Sequence, residues 1–131
     1  MVELVIDAVK GEVACASGGH PQPRLVLPDG TVEGIAAHGL ALGIDAPQTY
    51  ETVAAAFPPG AIVVVYTDGV VEARRRGEQF GIERLDALLS KHRALSAQAM
   101  AETALVACRE WSDNRELTDD FALVVIKRRE T

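Results

Sequence analysis

The chain has 131 residues, 48% of them apolar and 24% charged, which fits one compact domain with a real core and leaves little room for a second. Thirteen basic residues against nineteen acidic ones give a formal net charge of −6, which excludes a general nucleic-acid surface because phosphate binding needs a field of Lys and Arg. No apolar run approaches the roughly twenty residues needed to cross a membrane, and Glu3 and Asp7 within the first apolar stretch exclude a secretory signal.

Residues 2–7 and 12–17 flank Val9-Lys10-Gly11 and predict a strand, a tight turn and a strand. Residues 24–27 and 31–35 surround Pro28-Asp29-Gly30, a strong turn signal that predicts a second hairpin. The segment 36–46 has no clean period and reads as loop, followed by a brief strand within 50–56 and a turn forced by Pro58-Pro59-Gly60. Residues 61–66 (AIVVVY) are apolar and β-branched without alternation, as expected of a central strand covered on both faces. Phe80-Gly81-Ile82 leads into a helix with Leu85, Leu88 and Leu89 on one face. Ser96 is placed to cap a second helix bearing Met100, Ala104, Ala107 and Trp111 near one stripe. Residues 121–126 (FALVVI) form another wholly apolar strand.

The expected fold is α+β, an antiparallel sheet packed against a helical hairpin. Two helices cover only one face, so the other needs missing sequence, a second sheet or another copy of the chain. Strand-like sequence runs from Met1 almost to Lys127 with no tails, as in a chain cut from something larger. Cys15 and Cys108 lack metal-type spacing and read as buried thiols of a reducing, cytoplasmic protein. Arg74-Arg75-Arg76 reads as a solvated loop or as a docking point for a phosphate or an acidic partner.

Asp68 follows one apolar strand, and Asp119 and Asp120 precede the other. If those strands are antiparallel neighbours, Asp68 and Asp119 lie at the same rim of the sheet. Adjacent carboxylates repel unless a cation intervenes, and hard oxygen donors without His or Cys favour Mg²⁺ or Mn²⁺. The plainer alternative is that Asp68-Gly69 is a turn, with Gly69 easing the backbone bend, and Thr118-Asp119-Asp120 a polar loop. Glycines 18 and 19 could bring backbone amides near an anion or another strand. His20 suits a structural role, such as bonding a carbonyl, better than a triad with Ser17. Glu72 suits a pairing with Arg76 better than a contact to metal-bound water.

Three segments in order, ASGGHPQPRLV at 16–26, VVVYTDGVVEAR at 63–74 and LTDDFALVVIKR at 117–128, resemble the bacterial branch of the metal-dependent protein phosphatases (PPM). The similarity is to the branch of the sporulation stage II phosphatase and the stress-response regulators. LALGI at 40–44, PPG at 58–60 and FGIERL at 80–85 fall where that family has similar pieces. Two positions depart mildly: Gly18 stands where the family usually has alanine, and Ala122 where it usually has threonine. No segment resembles the family's upstream GDVSGHG stretch, whose aspartate bridges two metals.

The resemblance implies part of an α-β-β-α sandwich and a Mn²⁺- or Mg²⁺-dependent removal of phosphate from phosphoserine or phosphothreonine by activated water. It implies metal ligation by Asp68 and Asp119, loop ordering by Asp120, and no assigned ligand role for Gly18, Gly19 and His20. Residues 1–131 correspond to a single partial domain, the C-terminal half, expected to be inactive or weak by itself. The implied substrates are phosphorylated anti-anti-sigma-like regulatory proteins, and self-association through an uncovered sheet face or edge is expected. A non-catalytic phosphatase-like interaction module is the competing reading.

Overall fold

The computed structural model describes residues 1–39, 49–113 and 120–130. Among these, β1 (Val2–Asp7), β2 (Glu12–Ser17) and β5 (Thr52–Ala56) form one antiparallel sheet in the order β1-β2-β5. A second antiparallel sheet takes the order β4-β3-β6-β9 from β3 (Arg24–Val26), β4 (Val32–Gly34), β6 (Ile62–Tyr66) and β9 (Leu123–Lys127). Between β6 and β9 come the single helical turn α1 (Asp68–Val71), the short ribbon β7 (Arg74–Arg75) with β8 (Glu78–Gln79), and helices α2 (Gly81–Lys91) and α3 (Ala97–Trp111).

The two expected hairpins therefore lie in different sheets. Asp7 closes the first: its carboxylate accepts from the Val9 and Lys10 amides at 3.0 and 2.9 Å while Gly11 takes a left-handed φ of 67°. In the second, Asp29 accepts from the Thr31 amide at 2.9 Å, a bond that holds its carboxyl below the usual carboxylate range.

The lack of alternation in β6 follows from its position. Ile62, Val64 and Tyr66 face the helices in a core with Val26, Leu85, Leu89, Met100 and Cys108. Val63 and Val65 face the other sheet, in a core with Val13, Cys15, Leu25 and Phe57. A second sheet thus supplies the cover that two helices could not, giving layers in the order sheet, sheet, helices. Each fully buried side chain of these cores contributes about 1.5–3 kcal/mol of transfer free energy.

Both helices obey the expected periodicity. In α2, Leu85 and Leu89 are buried, and in α3 so are Met100, Ala104 and Cys108. Ser96 caps α3, its hydroxyl accepting from the Ala99 amide at 3.1 Å. Cys15 and Cys108 are free and buried, and the Cys108 thiol donates to the Val70 carbonyl at 3.6 Å. Burial pushes the Cys108 thiol up to about 11.

The outer face of the first sheet lies open. Register places Glu3, Ala16 and Thr52 in one row and Val5, Ala14 and Ala54 in the next. This face is small and apolar at its centre, and Val5 is 56% exposed. No described helix is long and apolar enough to cross a membrane.

Candidate metal centre

The β6–β9 pairing is antiparallel, with Tyr66 opposite Leu123, so the end of β6 meets the start of β9. Thr67 joins them. Its amide donates to the Ala122 carbonyl at 3.0 Å, its hydroxyl donates to the Asp120 carbonyl at 2.8 Å, and the Ala122 amide donates back to that hydroxyl at 3.0 Å. The chain beyond Thr67 turns directly into α1, so Asp68 is the first residue of a helical turn and is exposed at the rim. Asp120 is exposed on the facing segment. Asp119 lies outside the described residues, as does the LALGI segment.

Gly69 has a different place from the bend expected of it. It is buried inside α1 and takes no positive φ. Thr67, in extended conformation at the N-cap, makes the change of direction. Glu72 closes α1 with its amide on the Asp68 carbonyl. The expected Glu72–Arg76 pair does not form among the described residues, because the chain turns at Arg76 (φ 50°) and Gly77 (φ 82°) and carries Arg76 away in the ribbon.

Gly18, Gly19 and His20 arrive at the same rim by another route. Arg24 pairs with Val64, so the residues before Arg24 run toward the Tyr66 end of β6, where Asp68 and Asp120 lie. Gly18 is buried and its amide donates to the Met1 carbonyl at 2.7 Å. Gly19 has φ 76° and donates to the Gly39 carbonyl at 2.9 Å. Both amides therefore bond other chain segments rather than opening toward an anion. The loop also closes on Ser17, whose hydroxyl accepts from the His20 amide and donates to the His20 carbonyl, each at 3.2 Å. The His20 ring binds the Pro21 carbonyl through Nδ1 at 2.8 Å, the structural role expected of it.

Beneath the rim lies a group that sequence reasoning passed over. Arg24 grips Asp86 of α2 with two parallel bonds, Nε to Oδ1 at 2.8 Å and a terminal nitrogen to Oδ2 at 2.7 Å. Both side chains are largely buried. The Tyr66 hydroxyl is buried nearby without a hydrogen-bond partner among the described residues. Burial raises its pKa; the Arg24 charge opposes that rise, and Asp86 and Asp68 add to it. These influences tie Tyr66 to the buried pair below and to Asp68 above. Nothing in the spacing of Arg24 and Asp86 marks them as partners, since they are 62 positions apart.

As a cation site, Asp68 and Asp120 offer carboxylate oxygens, the donor chemistry of Mg²⁺ or Mn²⁺, while the His20 ring is engaged with the Pro21 carbonyl. Among the described residues no three His, Cys, Asp or Glu side chains converge. Asp68 and Asp120 stand as two exposed carboxylates at this rim.

Residues 1–129 match the family model described as stage II sporulation protein E (SpoIIE). The chain is 31% identical over 121 residues to the phosphoserine phosphatase RsbU of Bacillus subtilis, covering 92% of this chain and 36% of RsbU. Its fold is similar to the SiaA-PP2C domain of Pseudomonas aeruginosa, with a TM-score of 0.81 at 20% identity over 96% of this chain and 50% of that one. It is also similar to the RsbU and RsbW domains of Rv1364c from Mycobacterium tuberculosis, with a TM-score of 0.79 at 20% identity over 98% of this chain and 36% of that one. For the manganese-presoaked phosphatase domain of SpoIIE from Bacillus subtilis the TM-score is 0.73 at 17% identity, over 100% of this chain and 57% of that one. The chain thus spans between about a third and three-fifths of the length of these relatives.

Proposed function

The chain belongs to the stage II sporulation protein E (SpoIIE) family, within the PPM phosphatases, and on that footing we propose that residues 1–131 form the C-terminal half of a serine/threonine protein phosphatase domain. The observation that carries this reading is the Thr67 junction, which sets Asp68 beside the Asp120 segment at the end of the central strand pair. Asp68 and Asp119 hold the metal on this flank, and Asp120, Gly69, Gly18, Gly19 and His20 keep the surrounding loops in place. Mn²⁺ or Mg²⁺ is the ion, a reading supported by the all-oxygen donor set and by the manganese-presoaked relative.

When bound, the ion supplies charge neutralisation for the phosphoryl group and lowers the pKa of water. The chain's own residues hold its ligands still. Thr67 fixes the direction of Asp68, and the Arg24–Asp86 pair locks α2 against β3 beneath it. The substrate is phosphoserine or phosphothreonine on a bacterial regulatory protein, of the anti-anti-sigma type by similarity to RsbU.

With one flank only, the isolated chain hydrolyses phosphate weakly or not at all, because affinity for these ions depends on ligand number and geometry. Its open β1-β2-β5 face meets the missing half of the domain or, in its absence, a second copy. A non-catalytic interaction module remains the second reading, favoured by the lack of three converging ligands among the described residues.

A chimera distinguishes the two. Substituting this chain for the matched segment of RsbU restores the remainder of a phosphatase around it. The expected result is Mn²⁺-dependent hydrolysis of a phosphoserine peptide that Asp68→Asn reduces by about a hundredfold or more. A folded chimera without that activity establishes the interaction module instead.

A further inference from the structure

The β7–β8 ribbon lies outside both cores and outside the candidate centre, and it carries an unusual charge. Arg74, Arg75 and Arg76 are all exposed, in a chain whose formal net charge is −6. Among the described residues the ion pairs are Arg24–Asp86 and Arg84–Glu78, so no acidic side chain there neutralises the three arginines. Arg76 also occupies the turn with a φ of 50°, where Gly, Asn or Asp is easier to place.

The ribbon is held from beneath. The Trp111 indole N–H donates to the Glu78 carbonyl at 3.2 Å. Arg84 donates to the Gln79 and Phe80 carbonyls at 3.1 and 3.0 Å and pairs with the Glu78 carboxylate at 2.8 Å. Its guanidinium lies 4.0 Å from the centre of the Trp111 ring, which also meets the edge of Phe80 at 6.2 Å and the Arg75 guanidinium at 5.8 Å. Three guanidinium groups on a backbone fixed in this way lose less freedom on docking than the same groups on a loose loop. Arg74 follows Asp68 by six residues, four of the stretch being α1, so the ribbon starts within about 20 Å of the rim.

We propose that this ribbon docks an acidic segment of the phosphatase's protein substrate, whose carboxylates meet Arg74 and Arg76 while the phosphorylated residue reaches Asp68. The proposal rests on the phosphatase reading. Three charges are too few for a nucleic-acid track, and polybasic membrane signals take about four to eight basic residues. Electrostatic docking of this kind steers encounter and weakens with salt.

The test is fluorescence anisotropy of a labelled glutamate-rich peptide carrying one phosphoserine, mixed with the whole chain in metal-free buffer at low and moderate salt. The comparison is the double variant Arg74→Gln, Arg76→Asn, chosen because Asn tolerates a positive φ and neither side chain bonds Trp111 or Arg84. The expected result is a dissociation constant about tenfold larger in the variant, with a shallower salt dependence. Equal affinity in the two chains overturns the proposal. So does equal binding of a peptide with glutamine in place of glutamate, or a preference for oligothymidylate or phosphatidylserine vesicles. Since the buffer holds no metal, failure of the centre at Asp68 and failure of the ribbon are read separately.

Discussion

The Thr67 hydroxyl donates to the Asp120 carbonyl at 2.8 Å across the junction of β6 and β9. The same oxygen accepts from the Ala122 amide at 3.0 Å, so one side chain fixes the segment that faces Asp68. Thr67→Val keeps the shape and removes both bonds. The variant should lose about 1 kcal/mol in urea unfolding, because the junction is partly exposed and each bond has a modest net value. It should also bind Mn²⁺ several-fold more weakly, and Thr67→Ser should recover most of that loss. A Val variant with unchanged metal affinity would separate the junction from the site.

The Arg24–Asp86 pair is 11% and 23% exposed at its two side chains and joins β3 to α2. Breaking one partner leaves a desolvated charge without compensation, so Asp86→Ala should cost about 2–4 kcal/mol in denaturant unfolding. Replacing both, as Arg24→Met with Asp86→Leu, should cost far less than the two single changes added. Additive losses would mean the two groups act independently.

Cys108 is fully buried, and its thiol is held protonated up to about 11 against an ordinary value of 9.0. Its pKa is raised in the folded state, so the resulting stability is complete below pH 9.0 and is lost as pH climbs toward about 11. The thermal midpoint should therefore fall more steeply over that window in the parent chain than in Cys108→Ala. The measurement is a pair of melting curves at matched pH values, and parallel declines would remove Cys108 as the cause.

Ser96 caps α3 by accepting from the Ala99 amide at 3.1 Å. Ser96→Ala should cost about 1 kcal/mol, and Ser96→Asp should be close to neutral. Urea unfolding of the three chains checks both values.

Much of this was legible in the residues. Gly11 and Gly30 mark the two hairpin turns, Ser96 marks a helix start, and the unalternating valines of 62–65 mark a strand covered on both faces. The antiparallel pairing assumed for the two apolar strands is borne out by Tyr66 opposite Leu123, while Asp119, the residue expected beside Asp68, lies outside the described residues. Other features were illegible for physical reasons. Which strands fall in which of the two sheets depends on which hairpin pairs with β6, a long-range choice that local propensity does not encode. The Arg24–Asp86 pair, too, exists only once β3 and α2 are packed together. Gly69 misled because a glycine after a strand usually marks a bend, whereas here it is buried in a helical turn that Thr67 initiates.

In the proposed function Asp68 stands on the flank of a metal site. The decisive measurement is calorimetric titration of the purified chain with Mn²⁺, beside Asp68→Asn. The expected result is weak, saturable binding in the parent chain that disappears in the variant. No binding at millimolar Mn²⁺, or equal binding in both chains, would contradict it and leave a scaffold whose carboxylates hold no ion.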